Sequence, residues 1–272
     1  MIHKPGQYYA GFPLSPQPNR NRKKNKQTAH LILPIAGLVI LLVIVGLAVV
    51  TQNSTTDDRR GTTEPPNQNS PEPIRVKNMP SIFNVVIDAT GSMTEDDFTE
   101  AKAAAAALGL VLNKKAEQYG GDWADLLSVN FFGGSDEYTG TEFINCSNDS
   151  DVAGMVQFLE EKPHPRYQHT AIYDAIDMAR LEIMELDSRL FADYLKHILI
   201  ITDGIDTGSP ADVRQRVQDM FPLTKINLFI IGVGPNADVS SFESVADHVI
   251  HIEDFAKLAA VLLELAKSTP AT

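Results

Sequence analysis

One cysteine in 272 residues, Cys146, excludes an internal disulfide and leaves a small buried hydrophobe as its simplest role. The sequence has no P-loop and no Gly-x-Ser-x-Gly elbow, so the signatures of P-loop phosphotransferases and serine hydrolases are missing. His197, His248 and His251 sit in or beside strand patterns without the spacing of a zinc site. No internal repeat occurs. The single tryptophan, Trp123, reads as a packing residue. Acids are absent from residues 1–30, where Lys4, Arg20, Arg22, Lys23, Lys24 and Lys26 give +6. From Ser81 onward the balance reverses, with 13 Lys and Arg against 31 Asp and Glu. An acidic domain of that kind repels nucleic acid and anionic membrane surfaces and suits a site that collects cations.

Four segments follow from composition. Residues 1–30 read as a disordered basic tail. Residues 31–50, Leu31 to Val50, carry no charge over 20 residues, which at about 1.5 Å per residue spans bilayer hydrocarbon of about 30 Å. The stretch is longer than the apolar core of a cleaved signal peptide, and Ala48-Val-Val-Thr51 makes a poor cleavage site, so it is expected to stay as a single transmembrane helix. The Arg20–Lys26 cluster places the N-terminus in the cytoplasm and the C-terminal domain outside it. Residues 51–80, with Pro65, Pro66, Pro71, Pro73 and Pro80 among Asn, Thr, Ser and Gln, cannot bury enough apolar surface to order themselves and read as a stalk. Residues 81–268 form the folded part.

Within that part, strand-length apolar runs occur at Ile82–Ile87, Leu126–Phe132, His197–Thr202, Ile226–Val233 and Val249–Ile252. Rich in Ile, Val and Phe with little polar alternation, they predict strands covered on both faces. Phe98, Ala101, Ala105, Leu108 and Leu112 fall on one face of a helix that Thr94 and Asp97 cap and Gly120-Gly121 ends. Further helices are expected over Thr170–Leu186 and around Phe255, Leu258, Leu262 and Leu265. Tyr138–Ile144 reads as a hairpin partner of Leu126–Phe132, hence an antiparallel edge. This alternation predicts an α/β fold with an open, mostly parallel sheet and helices on both faces.

In such sheets ligands bind beyond the C-terminal strand ends. There the first strand runs into Asp88-Ala89-Thr90-Gly91-Ser92, and His197–Thr202 runs into Asp203-Gly204. Both aspartates are expected on one rim, from neighbouring strands, with the helix that opens near Thr170 starting from the same rim. Two carboxylates and the hydroxyls of Thr90, Ser92 and Thr170 are oxygen donors of the kind a hard cation takes. Such a set leaves the ion's shell incomplete, so an outside carboxylate could finish it without any bond being made or broken.

Asp88-x-Thr90-x-Ser92, a threonine opening a helix, and Thr202-Asp203-Gly204 after an apolar strand together resemble the metal-ion-dependent adhesion site of von Willebrand factor A domains. The resemblance covers about Ser81 to Ser268. It implies a Rossmann-like sheet of about six strands, with Mg²⁺ or Mn²⁺ at Asp88, Thr90, Ser92, Thr170 and Asp203, and an acidic side chain of a protein partner as ligand. Thr90 stands where the family usually has serine, which keeps the hydroxyl. Arg166-Tyr167-Gln168-His169 replaces the small residues often found before the threonine, so that loop is bulkier.

The resulting expectation is a membrane-anchored, metal-dependent protein-binding domain without enzymatic activity, with selectivity set by the loops 133–141 and 162–169. An assembly subunit with a structural or vestigial metal is the first alternative. A Mg²⁺-dependent hydrolase or phosphotransferase is the second, and Thr90 argues against it by occupying the place of the second aspartate that haloacid dehalogenase-like enzymes need. Gly232-Val-Gly234-Pro-Asn-Ala237 matches a dinucleotide fingerprint, but the interval to Val249 is too short for a βαβ unit, so it reads as a turn. Asp174 and Asp206 lie close to the motif residues and read as solvated surface acids, with a role in the outer shell of the site as the alternative, and His169 reads as incidental.

Overall fold

The computed structural model describes residues 79–119, 124–186 and 190–267. The basic tail, the apolar span at 31–50, the 51–80 stalk up to residue 78, and Trp123 lie outside the described residues. Among the described residues no helix is long and apolar enough to cross a membrane. The elements in chain order are β1 (Ser81–Asp88), α1 (Glu95–Tyr119), β2 (Leu126–Phe132), β3 (Tyr138–Gly140), β4 (Ile144–Asn145), α2 (Asp149–Glu161), α3 (Ile172–Glu185), β5 (Leu195–Thr202), α4 (Ala211–Met220), β6 (Ile226–Val233), β7 (His248–Ile252) and α5 (Leu258–Lys267).

The strands form one mixed sheet in the order β3-β2-β1-β5-β6-β7, with β4 also paired to β2. The pairs β1–β2, β1–β5, β5–β6 and β6–β7 are parallel. Both faces are covered, as the predominantly apolar strands require. On one face Val85, Leu127, Val129 and Leu199 pack with Phe98, Leu108 and Leu112 of α1, Met155 of α2 and Leu262 of α5. On the other, Ile82, Val86, Ile198 and Ile230 meet Ile172, Ile176 and Ile183 of α3 and Val217 of α4. Each Leu, Ile or Phe taken fully from water on these faces contributes about 1.5–3 kcal/mol. Cys146 is fully buried in the first cluster, and burial raises its thiol far above the usual range.

The cap predicted for α1 is present. Asp97 N–H donates to Thr94 Oγ1 at 3.1 Å, and Thr94 N–H donates to Asp97 Oδ2 at 3.2 Å. The edge differs from expectation, because the run Tyr138–Ile144 makes two short antiparallel strands instead of one. The reason lies in Thr141. Its Oγ1 accepts from Val129 N–H at 3.0 Å while its own N–H donates to Val129 O at 3.0 Å, so a side chain replaces a carbonyl and interrupts the ladder. Two helices, α2 and α4, were not foreseen. Between β6 and β7 the chain makes the expected turn. Gly234, at φ 102°, donates to Ile252 O, and one 3-10 turn, Ser240–Phe242, follows.

At the end of the sheet remote from the rim, His197 stacks on Phe83, its register partner in β1, with ring centroids 5.0 Å apart. Burial, reinforced by the Lys115 charge, lowers its pKa from the ordinary 6.5 to about 4. The unfolded chain therefore binds a proton between about pH 6.5 and 4 that the folded one refuses, and folding stability falls with pH across that window. Its full size approaches about 3 kcal/mol. His197→Phe is expected to flatten the acid side of the stability profile between those pH values, measured by urea unfolding at a series of pH. An unchanged profile would refute it.

Candidate metal centre

Because β1 and β5 are parallel neighbours in register, with Ile87 beside Ile201, both deliver their next residues to one rim. Asp88, fully buried, is held on both carboxylate oxygens. Thr90 N–H donates to Oδ1 at 2.9 Å, and Thr202 Oγ1 donates to Oδ2 at 2.7 Å. Thr90 Oγ1 lies 2.9 Å from Ser92 Oγ, and Ser92 Oγ donates to Asp203 Oδ1 at 2.9 Å. Asp88, Thr90, Ser92 and Asp203 thus form one hydrogen-bonded series at the tips of two adjacent strands. Thr170 is not a member of that series. It lies under the same cleft, beside Thr90, Ser92 and Gly204, and the 204–208 loop clasps its main chain, with Thr207 and Gly208 N–H donating to Thr170 O at 2.9 Å each.

The electrostatics of the pair fit a cation. Burial raises the Asp88 carboxyl to about 6, the hydrogen bonds from Thr202 and Thr90 oppose the rise, and the Asp203 charge adds to it. Asp203 is raised for the same first reason, burial, with the Ser92 hydrogen bond opposing. The groups acting on the two carboxylates include no lysine or arginine. Two acids that burial holds against ionisation, with the Asp203 charge adding to it at Asp88 and the Asp97 charge at Asp203 against an opposing His164, and ringed by hydroxyls, match the all-oxygen donor chemistry of a hard divalent ion. Among the described residues no cluster of three or more His, Cys, Asp and Glu could hold a metal, so any such site depends on hydroxyl oxygens.

The 162–169 loop forms one side of the rim. Tyr167 bridges to Thr90 in parallel fashion, its N–H donating to Ala89 O at 3.0 Å and its O accepting from Gly91 N–H at 2.8 Å. Gly133 makes room for this, since a Cβ there would collide with the Tyr167 side chain. Sequence reasoning missed His164. Its side chain is fully buried, its Nε2 lies 3.0 Å from Thr90 O, and its ring stacks on Phe98 at 4.5 Å. It therefore pins the peptide that carries a site hydroxyl. Thr202 is a second omission, visible in the sequence only as part of the motif. Asp206 corrects an expectation. Its side chain is 5% exposed rather than solvated, accepting from Ile172 N–H at 2.8 Å and Ser209 Oγ at 2.6 Å and pairing with Arg214 at 2.8 Å. It caps α3, whose first N–H groups have no partner within the helix. Asp174 is half-buried, and burial raises its carboxyl. His169 is exposed on the rim loop.

Over the hydroxyls opens a cleft of about 460 Å³, with Arg166 and Ile205 among its walls. Comparison with known proteins fits this geometry. The model of the von Willebrand factor type A domain matches residues 84–263. The chain belongs to this family. Type A domains often mediate protein–protein interaction or adhesion and are typically non-enzymatic. No curated protein matches the chain. Among solved structures, proximal thread matrix protein 1 from the mussel byssus is 18% identical, with a TM-score of 0.53 over 70% of this chain and 46% of that one. The pilus adhesin SpaC from Lactobacillus rhamnosus GG, in its open conformation, is 11% identical, with a TM-score of 0.54 over 70% of this chain and 30% of that one. The chain thus spans less than half of either, and the likeness is one of fold.

Proposed function

We propose that the type A domain is a divalent-metal-dependent protein-binding module, held to the outer side of a cell membrane by the apolar stretch at 31–50. The observation that carries the proposal is the continuous series Asp88, Thr90, Ser92, Asp203 at the rim. Those four side chains and Thr170 would hold Mg²⁺ or Mn²⁺. When bound, the ion supplies a Lewis-acidic point that accepts a partner's carboxylate. The chain's own residues do the rest. Thr202 and Thr90 fix the Asp88 carboxylate, His164 and Tyr167 fix the loop that carries Thr90, and Asp206 fixes the start of α3 next to Thr170.

The test uses the full-length chain in detergent. Calorimetric titration with Mg²⁺ and Mn²⁺ should give one site per chain. An immobilised peptide containing a single aspartate should then retain the chain in Mn²⁺ and release it in EDTA. Retention that survives EDTA would defeat the proposal. Membrane attachment is checked separately, by whether the expressed chain stays in the membrane pellet through an alkaline carbonate wash.

A further inference from the structure

We infer that Arg166 forms a second anionic subsite beside the metal, so that the cleft selects partner segments carrying two nearby carboxylates. The inference rests on the metal-site proposal and adds the partner's chemistry to it. Arg166 lines the same cleft as Thr90, Ser92 and Thr170, and it is the one charged side chain in that lining. It stands in a domain with 31 acids against 13 bases from Ser81 onward. An acidic partner meets general repulsion from such a surface. Within the lining of this cleft the exceptions are the proposed metal and Arg166, and a segment with two carboxylates can use both.

The backbone supports a positioned role. Arg166 has φ 56°, the only left-handed value for a non-glycine among the described residues. For an L-residue other than glycine, asparagine or aspartate this conformation costs about 1–2 kcal/mol. Such outliers persist where the surroundings enforce them, and they gather at binding sites. Here the enforcing contacts are those of the next residue, Tyr167, with Ala89 and Gly91. They tie the arginine's position directly to the loop bearing Thr90 and Ser92. The side chain is 64% exposed, with Nη2 3.6 Å from Glu95 Oε2, which is itself 57% exposed. A pair in open solvent is weak and exchangeable. Glu95 therefore acts as a resting partner that an incoming carboxylate can replace, and the guanidinium fork suits that exchange.

The bland alternative is a surface arginine whose whole role is its pair with Glu95, and direct measurement separates the two. Two immobilised peptides of glycine and serine are compared by surface plasmon resonance with the full-length chain in Mn²⁺. One carries a single aspartate, and the other carries the aspartate and a glutamate three residues on. The wild-type chain is expected to bind the diacidic peptide roughly 3- to 10-fold more tightly. Arg166→Gln should bind both equally, Arg166→Glu should favour the monoacidic peptide, and Mn²⁺ affinity should be the same in all three. The inference is overturned if the monoacidic peptide binds and the wild-type preference is absent, or if the preference persists in Arg166→Gln. Failure of both peptides to bind wild type in Mn²⁺ would defeat the metal-site proposal itself and the inference with it.

Discussion

Asp88→Ala is expected to erase the stabilisation that Mg²⁺ or Mn²⁺ confers while leaving the metal-free domain folded. The two halves of the result have different causes. Ligand binding to the folded state alone stabilises it by about 2.7 kcal/mol when free ligand is 100 times its Kd. That gain needs the buried carboxylate at the tip of β1, where no other side chain can replace it. In the metal-free state the same carboxylate is a liability, because burial pushes its pKa to about 6. Alanine removes that cost and also removes the acceptor for Thr90 N–H and Thr202 Oγ1. The losses, about 1 kcal/mol for each hydrogen bond, partly cancel against the relieved desolvation. Melting scans in EDTA should therefore differ by only a few degrees between the variant and wild type. Scans in millimolar Mg²⁺ should separate them by the whole metal increment. Equal metal stabilisation of both would remove Asp88 from the site, and unfolding of the variant in EDTA would make the carboxylate structural.

How far the sequence could be read depended on whether a feature is local. The strands β1, β2, β5 and β6 are written mostly in Ile, Val, Leu and Phe, with only a few polar residues such as Asn84, Ser128, Asn130, His197 and Asn227 among them, and that is enough to mark covered strands. The Asp88-x-Thr90-x-Ser92 loop follows one such run directly, so its placement on the rim came with the strand. Helix α4 was illegible for a physical reason. It buries only Val213 and Val217, too few apolar residues to set a period. Helix α2 did carry a signal, Asn148 as its cap and then Val152, Met155 and Leu159 on one face, which a search for caps would have found. The edge escaped because Thr141 uses a side-chain oxygen where a strand would use a carbonyl. His164 and Asp206 were beyond reach in another way. Their partners, Thr90 O and Ile172 N–H, are 74 and 34 residues away, and main-chain groups leave no mark in a sequence. The side chains of Asp88, Thr90, Ser92 and Asp203 that meet at the rim could thus be named in advance, while His164 and Asp206, which orient their surroundings, could not.

A second large effect is expected at Glu182, on the face of α3 turned toward the sheet. Its Oε2 accepts from three strands at once, from Asn84 Nδ2 of β1 at 2.8 Å, Asn130 Nδ2 of β2 at 3.0 Å and Tyr138 Oη of β3 at 3.0 Å. Burial raises the carboxyl, and these hydrogen bonds pull it back. Glu182→Leu would fill the space but leave the three donors short of an acceptor. Asn130 keeps Asn84 Oδ1 at 3.0 Å and Asn84 keeps a long contact to Ala179 O at 3.4 Å, so the loss falls hardest on Tyr138. Leaving a buried donor unsatisfied costs about 1–3 kcal/mol, which with the half-buried Tyr138 as the main loss puts the variant about 1–3 kcal/mol below wild type. Glu182→Gln keeps an oxygen in place and removes a charge that burial disfavours, so its cost should stay under about 1 kcal/mol. Urea unfolding ranks the pair. Equal losses in both would mean that the charge matters and not the acceptor. Tyr138 begins the short edge strand that closes the 133–137 turn, and Gly133 O at the start of that turn accepts from Ala171 N–H at 2.7 Å, next to Thr170. Amide exchange over residues 133–140 should therefore quicken in the leucine variant before the core strands β1 and β5 open, because a half-buried carboxylate beneath the sheet holds the edge against which the rim is built.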